Sequence, residues 1–410
     1  MGAWIMIQII EKKKCCGCTA CYSVCPKNAI SMEPDAEGFL YPNIDSSKCI
    51  ECKLCEKVCP VVNNQFIETY KKEAFAMRST CKSNLSKSTS GGMFFPLLGY
   101  VTRNEGVMCV AGYNDNFSVA HQFIDTSVLV IEDDNMLDRF RGSKYVQSYL
   151  GNTFIRIKEY LDAQRLVCFI GTTCQVAGLK SFLRKDYGNL VLVDLVCHGT
   201  PSPKLWEEYL NYQEKKHKAK IRKISFRSKV FGYHSGGMMH IQFDDKSEYI
   251  ASARVDMMLK SFFKEIASRP SCYDCKFKGL ERCSDITLYD CWSFSQITNN
   301  QIDDDHGFTN VIINSVKGKT LLANMQNSIL SYPVNMEKAV KLDGVMINKC
   351  PKPHNNRNNF YDDLCQLGIK CAIQKNIPIT RKDYIIEFCK HVLYRMGLLN
   401  KLKSIIGRVK

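Results

Sequence analysis

The pattern of apolar and polar positions changes character several times along this 410-residue chain. Residues 1–65 carry no long apolar period. Short apolar pairs alternate with cysteines, glycines and prolines, which predicts a compact unit of short strands and turns, duplicated internally. Residues 66–85 are polar and rich in Ser and Lys, the composition of a linker. A Ser/Gly loop over 86–92 then opens a helix, expected to use Ser90 as N-cap and to tolerate Pro96 near its first turn. Strands are expected at 106–112, 121–124 and 128–131.

The middle of the chain repeats a strand–loop–helix pattern. The apolar run 165–170 reads as a buried strand ending in Gly171-Thr172-Thr173-Cys174-Gln175, followed by a helix to about Leu183. A second apolar strand, 190–196, ends in Cys197-His198-Gly199-Thr200-Pro201-Ser202-Pro203. Ser202 caps the next helix, with Pro203 at its first position. A strand, helix and strand joined in this way lie parallel. Cys174 and Cys197 then share the carboxyl edge of the sheet, where open α/β sheets build their sites. Further strands are expected at 285–290 and 308–314, around a polar loop 299–307. Beyond Lys349 the chain is rich in Asn, Pro and Lys, and it ends in a basic amphipathic stretch over 384–410. The organisation expected is therefore a unit over 1–65, a two-part α/β region over 66–155 and 156–345, and a linker with a basic tail over 346–410.

The cysteines change this picture most. Cys15, Cys18, Cys21 and Cys25-Pro26 recur 34 positions later as Cys49, Cys52, Cys55 and Cys59-Pro60. Each run is C-x2-C-x2-C-x3-C-P, the spacing of bacterial two-cluster ferredoxins. Three thiolates on a tight loop wrap three corners of one cube, and the fourth, set off by Pro, completes the other. One 4Fe–4S cluster is expected on Cys15, Cys18, Cys21 and Cys59, the other on Cys49, Cys52, Cys55 and Cys25. Cys16 falls outside the pattern and reads as a spare. Structural zinc needs only four ligands and rarely follows three evenly spaced cysteines with Cys-Pro. Disulfides would need an oxidising compartment. The first ten residues lack a basic start and a small-residue cleavage site, and no window approaches the ~20 apolar residues of a membrane span. A chain with 22 cysteines read this way is expected in the reducing cytoplasm.

Hydrophobic content of 45 % and charged content of 24 % are ordinary for a globular protein. The net charge of +15 points to anionic partners: cofactor phosphates, an acidic redox protein or a membrane face. Nucleic acid is not expected, because the basic residues are scattered rather than grouped with aromatics.

Several other constellations carry chemistry. The 88–92 loop (Ser88, Ser90, Gly91, Gly92) precedes a helix N-terminus, where free N–H groups and the dipole favour phosphate oxygens; the plainer reading is a capping loop. Lys144, beside Ser143 and Tyr145 in Gly-Ser-Lys-Tyr, offers a point charge for phosphate or is simply an exposed lysine. Cys174, Cys197, Cys272 and Cys275 form a candidate third cluster: two cysteines at adjacent strand ends and a C-x2-C loop to close it. Cys283 and Cys291 are alternative ligands, and some of the set can equally be buried apolar residues. His198 is a hydrogen-bonding candidate at the strand edge or a satisfied loop residue. Asp194 and Asp290 have no partner assignable from sequence. No Ser-His-Asp triad, Walker loop or Rossmann glycine fingerprint is present, so NAD(P)H as direct donor is unsupported. The basic stretch after Tyr384 suits peripheral contact with an anionic membrane or docking on a protein.

These runs together resemble the coenzyme F420 hydrogenase/dehydrogenase beta-subunit family, in its forms with a fused two-cluster ferredoxin domain, over roughly residues 10–345. The resemblance rests on Ser88-Thr89-Ser90-Gly91-Gly92, Gly142-Ser143-Lys144-Tyr145-Val146-Gln147-Ser148, Gly171-Thr172-Thr173-Cys174-Gln175, Cys197-His198-Gly199-Thr200-Pro201-Ser202 and the Cys272/Cys275 pair, in the family's order. It implies an α+β protein: a bacterial-ferredoxin-like domain followed by a mixed α/β flavin-binding catalytic domain. It implies FAD held by the Ser88–Gly92 and Ser143–Tyr145 loops, and electrons passing between flavin and iron–sulfur clusters. In methanogen members the flavin exchanges a hydride with coenzyme F420. Related members reduce other substrates, and bacterial relatives appear beside polysaccharide-synthesis enzymes. The family's Pro after Gly-Thr is Thr173 here, and its Gly-Asp-Phe-Trp-Gly run is Tyr289-Asp290-Cys291-Trp292-Ser293, with both glycines replaced. These departures bear on the substrate more than on the cofactor.

The function expected is an iron–sulfur flavoprotein oxidoreductase fed by a ferredoxin-like carrier or a hydrogenase-type subunit. It acts on an organic small molecule, with F420 chemistry or a pure electron-relay role as alternatives, and it works as an oligomer. The direction of electron flow stays open.

Overall fold

The computed structural model describes residues 11–63, 70–128 and 134–398. At the N-terminus, strands β1 (Ile30–Pro34) and β2 (Leu40–Ile44) form an antiparallel hairpin. Two short helices, Ala20–Val24 and Leu54–Lys57, lie within the first and second cysteine runs. Each starts after a residue in the left-handed region, Thr19 and Lys53, so the two repeats share one local turn.

The rest of the chain contributes strands β3 (Glu73–Ser79), β4 (Val107–Tyr113), β5 (Val119–Asp125), β6 (Val167–Thr172), β7 (Leu190–Leu195), β8 (Ile221–Ser225), β9 (Met238–Phe243), β10 (Glu248–Ser252), β11 (Ile286–Cys291), β12 (Phe308–Ile313) and β13 (Ile329–Pro333). Eight of them form one sheet in the order β13-β3-β12-β11-β7-β6-β4-β5. Its centre, β4-β6-β7-β11, is parallel, and antiparallel strands complete both sides. The central strands are almost wholly buried, which suits continuous apolar runs covered on both faces. The parallel pairing of β6 and β7 through helix Thr173–Leu183 is as the sequence predicts. So is the Ser202 cap: its side chain accepts from the Lys204 amide, with Pro203 opening helix Pro203–His217.

Helices Thr153–Asp162 and Thr173–Leu183 cover one face of the sheet, where Phe154, Ile157, Phe169, Val176 and Leu179 form a core. Cys18, Ala20 and Val58 of the N-terminal unit are buried in the same cluster. The ferredoxin-like unit is therefore packed on the sheet domain. The docking is pinned by a bidentate ion pair from Arg357 to Glu37 (2.6 Å for each bond). A second core joins helix Pro203–His217 to the antiparallel sheet β10-β9-β8 and to helix Arg357–Asn376.

Two expectations fail here. The polar segment 66–85 contains β3, an interior strand hydrogen-bonded to both β12 and β13. Its apolar side is built partly from Ala74 and Ala76, weak strand formers whose burial alone decides their place. The region after 346 is not merely a linker and tail. Helix Arg357–Asn376, broken at Gly368 (φ 75°), buries Phe360, Tyr361, Leu364, Ile369 and Ile373 in the second core. The strand expected at 128–131 falls almost entirely on residues outside the described ones, as does the tail from 399 onward.

Candidate functional site

The cysteine runs fold into two pockets. Cys15, Cys18, Cys21 and Cys59 line one cavity, and Cys25, Cys49, Cys52 and Cys55 line another. Each pocket draws its fourth cysteine from the opposite run. Burial, and then the neighbouring Cys15 and Cys59, push the Cys21 thiol up. Bare thiols crowded in this way resist ionisation, and iron supplies the positive charge that makes them thiolates. The donor set fits cubane clusters.

A third cysteine cavity lies where the strand ends predicted it. It is lined by Cys174, at the start of helix Thr173–Leu183, by Cys197 just past β7, and by Cys272 and Cys275. Burial first, then Cys272 and Cys174, raise the Cys197 thiol, and burial followed by Cys174 pushes Cys275 up to about 12. Cys283 and Cys291 are buried elsewhere, in the sheet-face and Phe294/Phe308 clusters, and do not line this cavity. Among the described residues no three metal-binding side chains converge on a single ion. Cys174, Cys197, Cys272 and Cys275 are a donor set that could hold a cluster in a void that Cys16 also lines.

Beneath this cavity lies a buried ion pair. Asp194 accepts from Arg282, from the Thr173 hydroxyl (2.8 Å), and from Ser284 and Thr287 (2.7 and 2.5 Å). Arg282 also donates to the Thr173 hydroxyl (2.6 Å). The pair thus fixes the turn that carries Cys174 to the strand that carries Cys197.

Cys16 is not a spare. It lines the third cysteine cavity together with Cys174. Because Cys16 also lines the Cys15/Cys18/Cys21/Cys59 cavity, it stands in the wall between the two. Gly178 makes the approach possible: a Cβ there would lie 2.7 Å from the Cys18 Cβ. Arg269 closes the same junction. It donates to the Cys15 carbonyl (2.8 Å), the Leu40 carbonyl (2.9 Å) and the Gln147 side chain (3.0 Å), and its Nη2 lies 3.6 Å from Cys15 Sγ.

On the far side opens a cavity of about 910 Å3. It contains both predicted phosphate loops, brought together by a hydrogen bond from the Ser143 amide to the Thr89 hydroxyl (3.0 Å). Ser88, Ser90, Gly92, Ser143, Lys144 and Tyr145 all line it. The loop geometry differs from the expectation. Ser90 does not cap the helix, which runs Phe94–Arg103 with Met93 at its N-cap; its hydroxyl donates to the Phe308 carbonyl (2.5 Å). Gly91 packs against the paired Met77 of β3 and Thr309 of β12, its amide bound to the Thr309 hydroxyl (2.9 Å), and a Cβ would lie 2.4 Å from the Met77 carbonyl oxygen. The helix register is set by these sheet contacts rather than by a capping side chain.

Lys144 is half-buried, its ammonium turned back onto its own loop rather than out to solvent. Its ammonium donates to the carbonyls of Phe140, Arg141 and Gly142 (3.2, 3.1 and 3.4 Å), and burial lowers its pKa to about 7. An arriving phosphate would favour its charged form. Tyr145 stacks on Phe262 (4.2 Å between centroids). Asp290 receives Arg227 (2.5 Å), and Trp292 stacks on Tyr233 (4.4 Å). Asp290 and Trp292 both line the cavity. His198 lines it too, with Nε2 3.3 Å from Glu265 and its ring against Phe262; burial lowers its pKa, against the pull of Glu265.

Sequence reasoning missed His121. Its Nε2 donates to the Ile170 carbonyl (3.1 Å) and its Nδ1 accepts from Ser148 (3.0 Å), which in turn receives Gln175 (2.9 Å). Burial lowers its pKa to about 4, so it is a neutral ring in the cavity wall. Its only sequence signal was an isolated histidine in an apolar strand.

A dicluster ferredoxin unit packed on a mixed α/β domain, with further cysteines gathered at the junction, defines an iron–sulfur electron-transfer protein of the oxidoreductase type. Residues 14–63 match the 4Fe–4S dicluster domain. Residues 164–335 match the family described as the C terminus of the coenzyme F420 hydrogenase/dehydrogenase beta subunit. Among solved structures, the chain is similar to one in the F420-reducing NiFe hydrogenase complex from Methanosarcina barkeri, studied by xenon derivatization. That likeness has 17 % identity, covers 73 % of this chain and 94 % of the other, and has a TM-score of 0.45. Comparison with curated proteins finds no match. No described helix is long and apolar enough to cross a membrane.

Proposed function

We propose that this protein is an FAD-dependent iron–sulfur oxidoreductase carrying electrons along three clusters to a flavin in the 910 Å3 cavity, where an organic substrate is reduced. The observation that carries the reading is a row of cavities with shared walls. Cys16 and Val61 line both the Cys15/Cys18/Cys21/Cys59 pocket and the third cysteine cavity. Thr172, Gln175, Cys197, His198, Gly199 and Thr200 line both the third cysteine cavity and the large one. Such adjacency suits stepwise one-electron transfer.

Cys174, Cys197, Cys272 and Cys275 hold the third 4Fe–4S cluster in this reading. The helix start at Met93–Phe94 and the Ser143–Tyr145 turn take the flavin's phosphates, assisted by the N-terminal dipole and by Lys144 as it gains a proton. Bound FAD supplies the exchange between one-electron and two-electron chemistry. Tyr145, stacked on Phe262, walls the site and excludes water. His198, tied to Glu265, is placed to move a proton at the boundary between cluster and flavin. At the other end Cys52 is exposed, with Lys48 and Lys53 beside it, so an acidic redox partner has access to the outer cluster.

Anaerobic purification with iron, sulfide and flavin analysis tests this reading. The expected result is three clusters and one FAD per chain, with flavin bleaching by a reduced ferredoxin. Two clusters and no flavin band would overturn it. A loaded protein whose flavin is reduced but turns over only with a second subunit would replace the enzyme reading by an electron relay.

A further inference from the structure

Helix Arg381–Arg395 is docked with its apolar side outward. Its two acidic residues both face the protein: Glu387 is buried and accepts from the Ser252 amide and hydroxyl, and Asp383 lies beside Lys260 and Arg254. The side turned to solvent carries Tyr384 (57 % exposed), Ile385 (62 %), Phe388 (69 %), Val392 (37 %) and, at the C-cap, Met396 (63 %). These positions recur at helical spacing and make one contiguous apolar strip, flanked by exposed Arg381, Lys382 and Arg395. A helix that faces its own protein with carboxylates and water with aromatics is built to bury its outer side in something else.

We infer that this face docks on an anionic lipid surface. An interfacial helix presents this arrangement, apolar residues in the acyl boundary with lysines and arginines at the headgroups. Charge separates the lipid from the other occupants. Two copies stacked on this face would bring cations together with no carboxylate between them. The chain's own residues 399–410 carry four basic residues and no acidic one, so they extend the same chemistry instead of neutralising it. Ile386, Glu387 and Lys390 of the same helix line the large cavity. Docking therefore sets that cavity against the membrane, and the substrate is an amphiphile presented there. This last step rests on the cavity being the reducing site; the docking itself does not.

The test is flotation of the anaerobically prepared full chain with vesicles of phosphatidylcholine alone, or with about a third phosphatidylglycerol. The expected result is binding to the anionic vesicles only, weakened by salt. The double substitution Ile385→Ser/Phe388→Ser should bind about tenfold less or weaker still, with iron and flavin content unchanged. Absence of binding by the full chain overturns the inference. So does light scattering that shows a dimer which the double substitution makes monomeric, because the face is then a self-interface. Vesicle binding by a chain without flavin leaves the docking standing and removes the function proposed above; a flavin-loaded chain that ignores vesicles does the reverse.

Discussion

Arg269, far from the N-terminus in sequence, aims its guanidinium at Cys15, donating to its carbonyl at 2.8 Å and placing Nη2 3.6 Å from its sulfur. The guanidinium also lies over the Tyr41 ring, 4.1 Å from its centroid. One buried side chain thus joins the sheet domain to the first cysteine pocket and touches an atom that would ligate iron.

N–H donors to cluster sulfurs stabilise the more negative, reduced state and raise the potential. Arg269→Gln should therefore move one cluster to lower potential while leaving the cluster on Cys25, Cys49, Cys52 and Cys55 unchanged. A redox titration followed by electron paramagnetic resonance reads this directly. Unchanged potentials would mean that Arg269 serves docking alone.

Cys16 and Cys174 line the same cavity, and the proposed function gives them different roles. Cys174→Ser should remove one cluster's iron and sulfide and leave the other two. Cys16→Ser should keep all the iron and slow electron transfer between the ferredoxin unit and the flavin. Stopped-flow bleaching alongside iron analysis separates the two. Iron loss in Cys16→Ser would make Cys16 a ligand.

The Asp194–Arg282 pair is fully buried, with side chains 0 % and 2 % exposed. Asp194→Asn leaves the guanidinium without its countercharge and should cost ~3–5 kcal/mol of stability. It should also loosen the Cys174 turn through Thr173. Denaturant unfolding of the loaded protein, with iron counted before and after, checks both effects.

His121 has a folded pKa of about 4 against 6.5 in the unfolded chain. The unfolded state therefore binds the extra proton between those values, and stability falls as pH drops through that window. The loss reaches roughly 3 kcal/mol below pH 4. Melting temperatures between pH 5 and 7 should flatten in His121→Phe; an unchanged slope would assign the dependence to other groups.

Local chemistry made much of this protein readable. The Cys-Pro runs specify their own swapped pairing, since the loop reaches only three corners of a cube. The apolar runs at β6 and β7, with Ser202-Pro203 behind them, specify a parallel strand–helix–strand unit because burial on both faces and capping are local demands. Strand β3 was hidden by its alanines and flanking lysines, and Ser90 looked like a cap because its partner, Phe308, lies 218 positions away.

The sequence by itself determined the cluster-binding unit, the parallel core and the edge on which Cys174 and Cys197 sit, because residue type and spacing govern short loops and strand ends. Only the tertiary structure decided that Cys16 stands between two cysteine cavities, that Arg269 reaches Cys15, that Lys144 turns back onto its own loop carbonyls, and that the last described helix turns its apolar side outward. Those outcomes depend on how distant segments pack, and no local period along the chain encodes which neighbour a side chain meets.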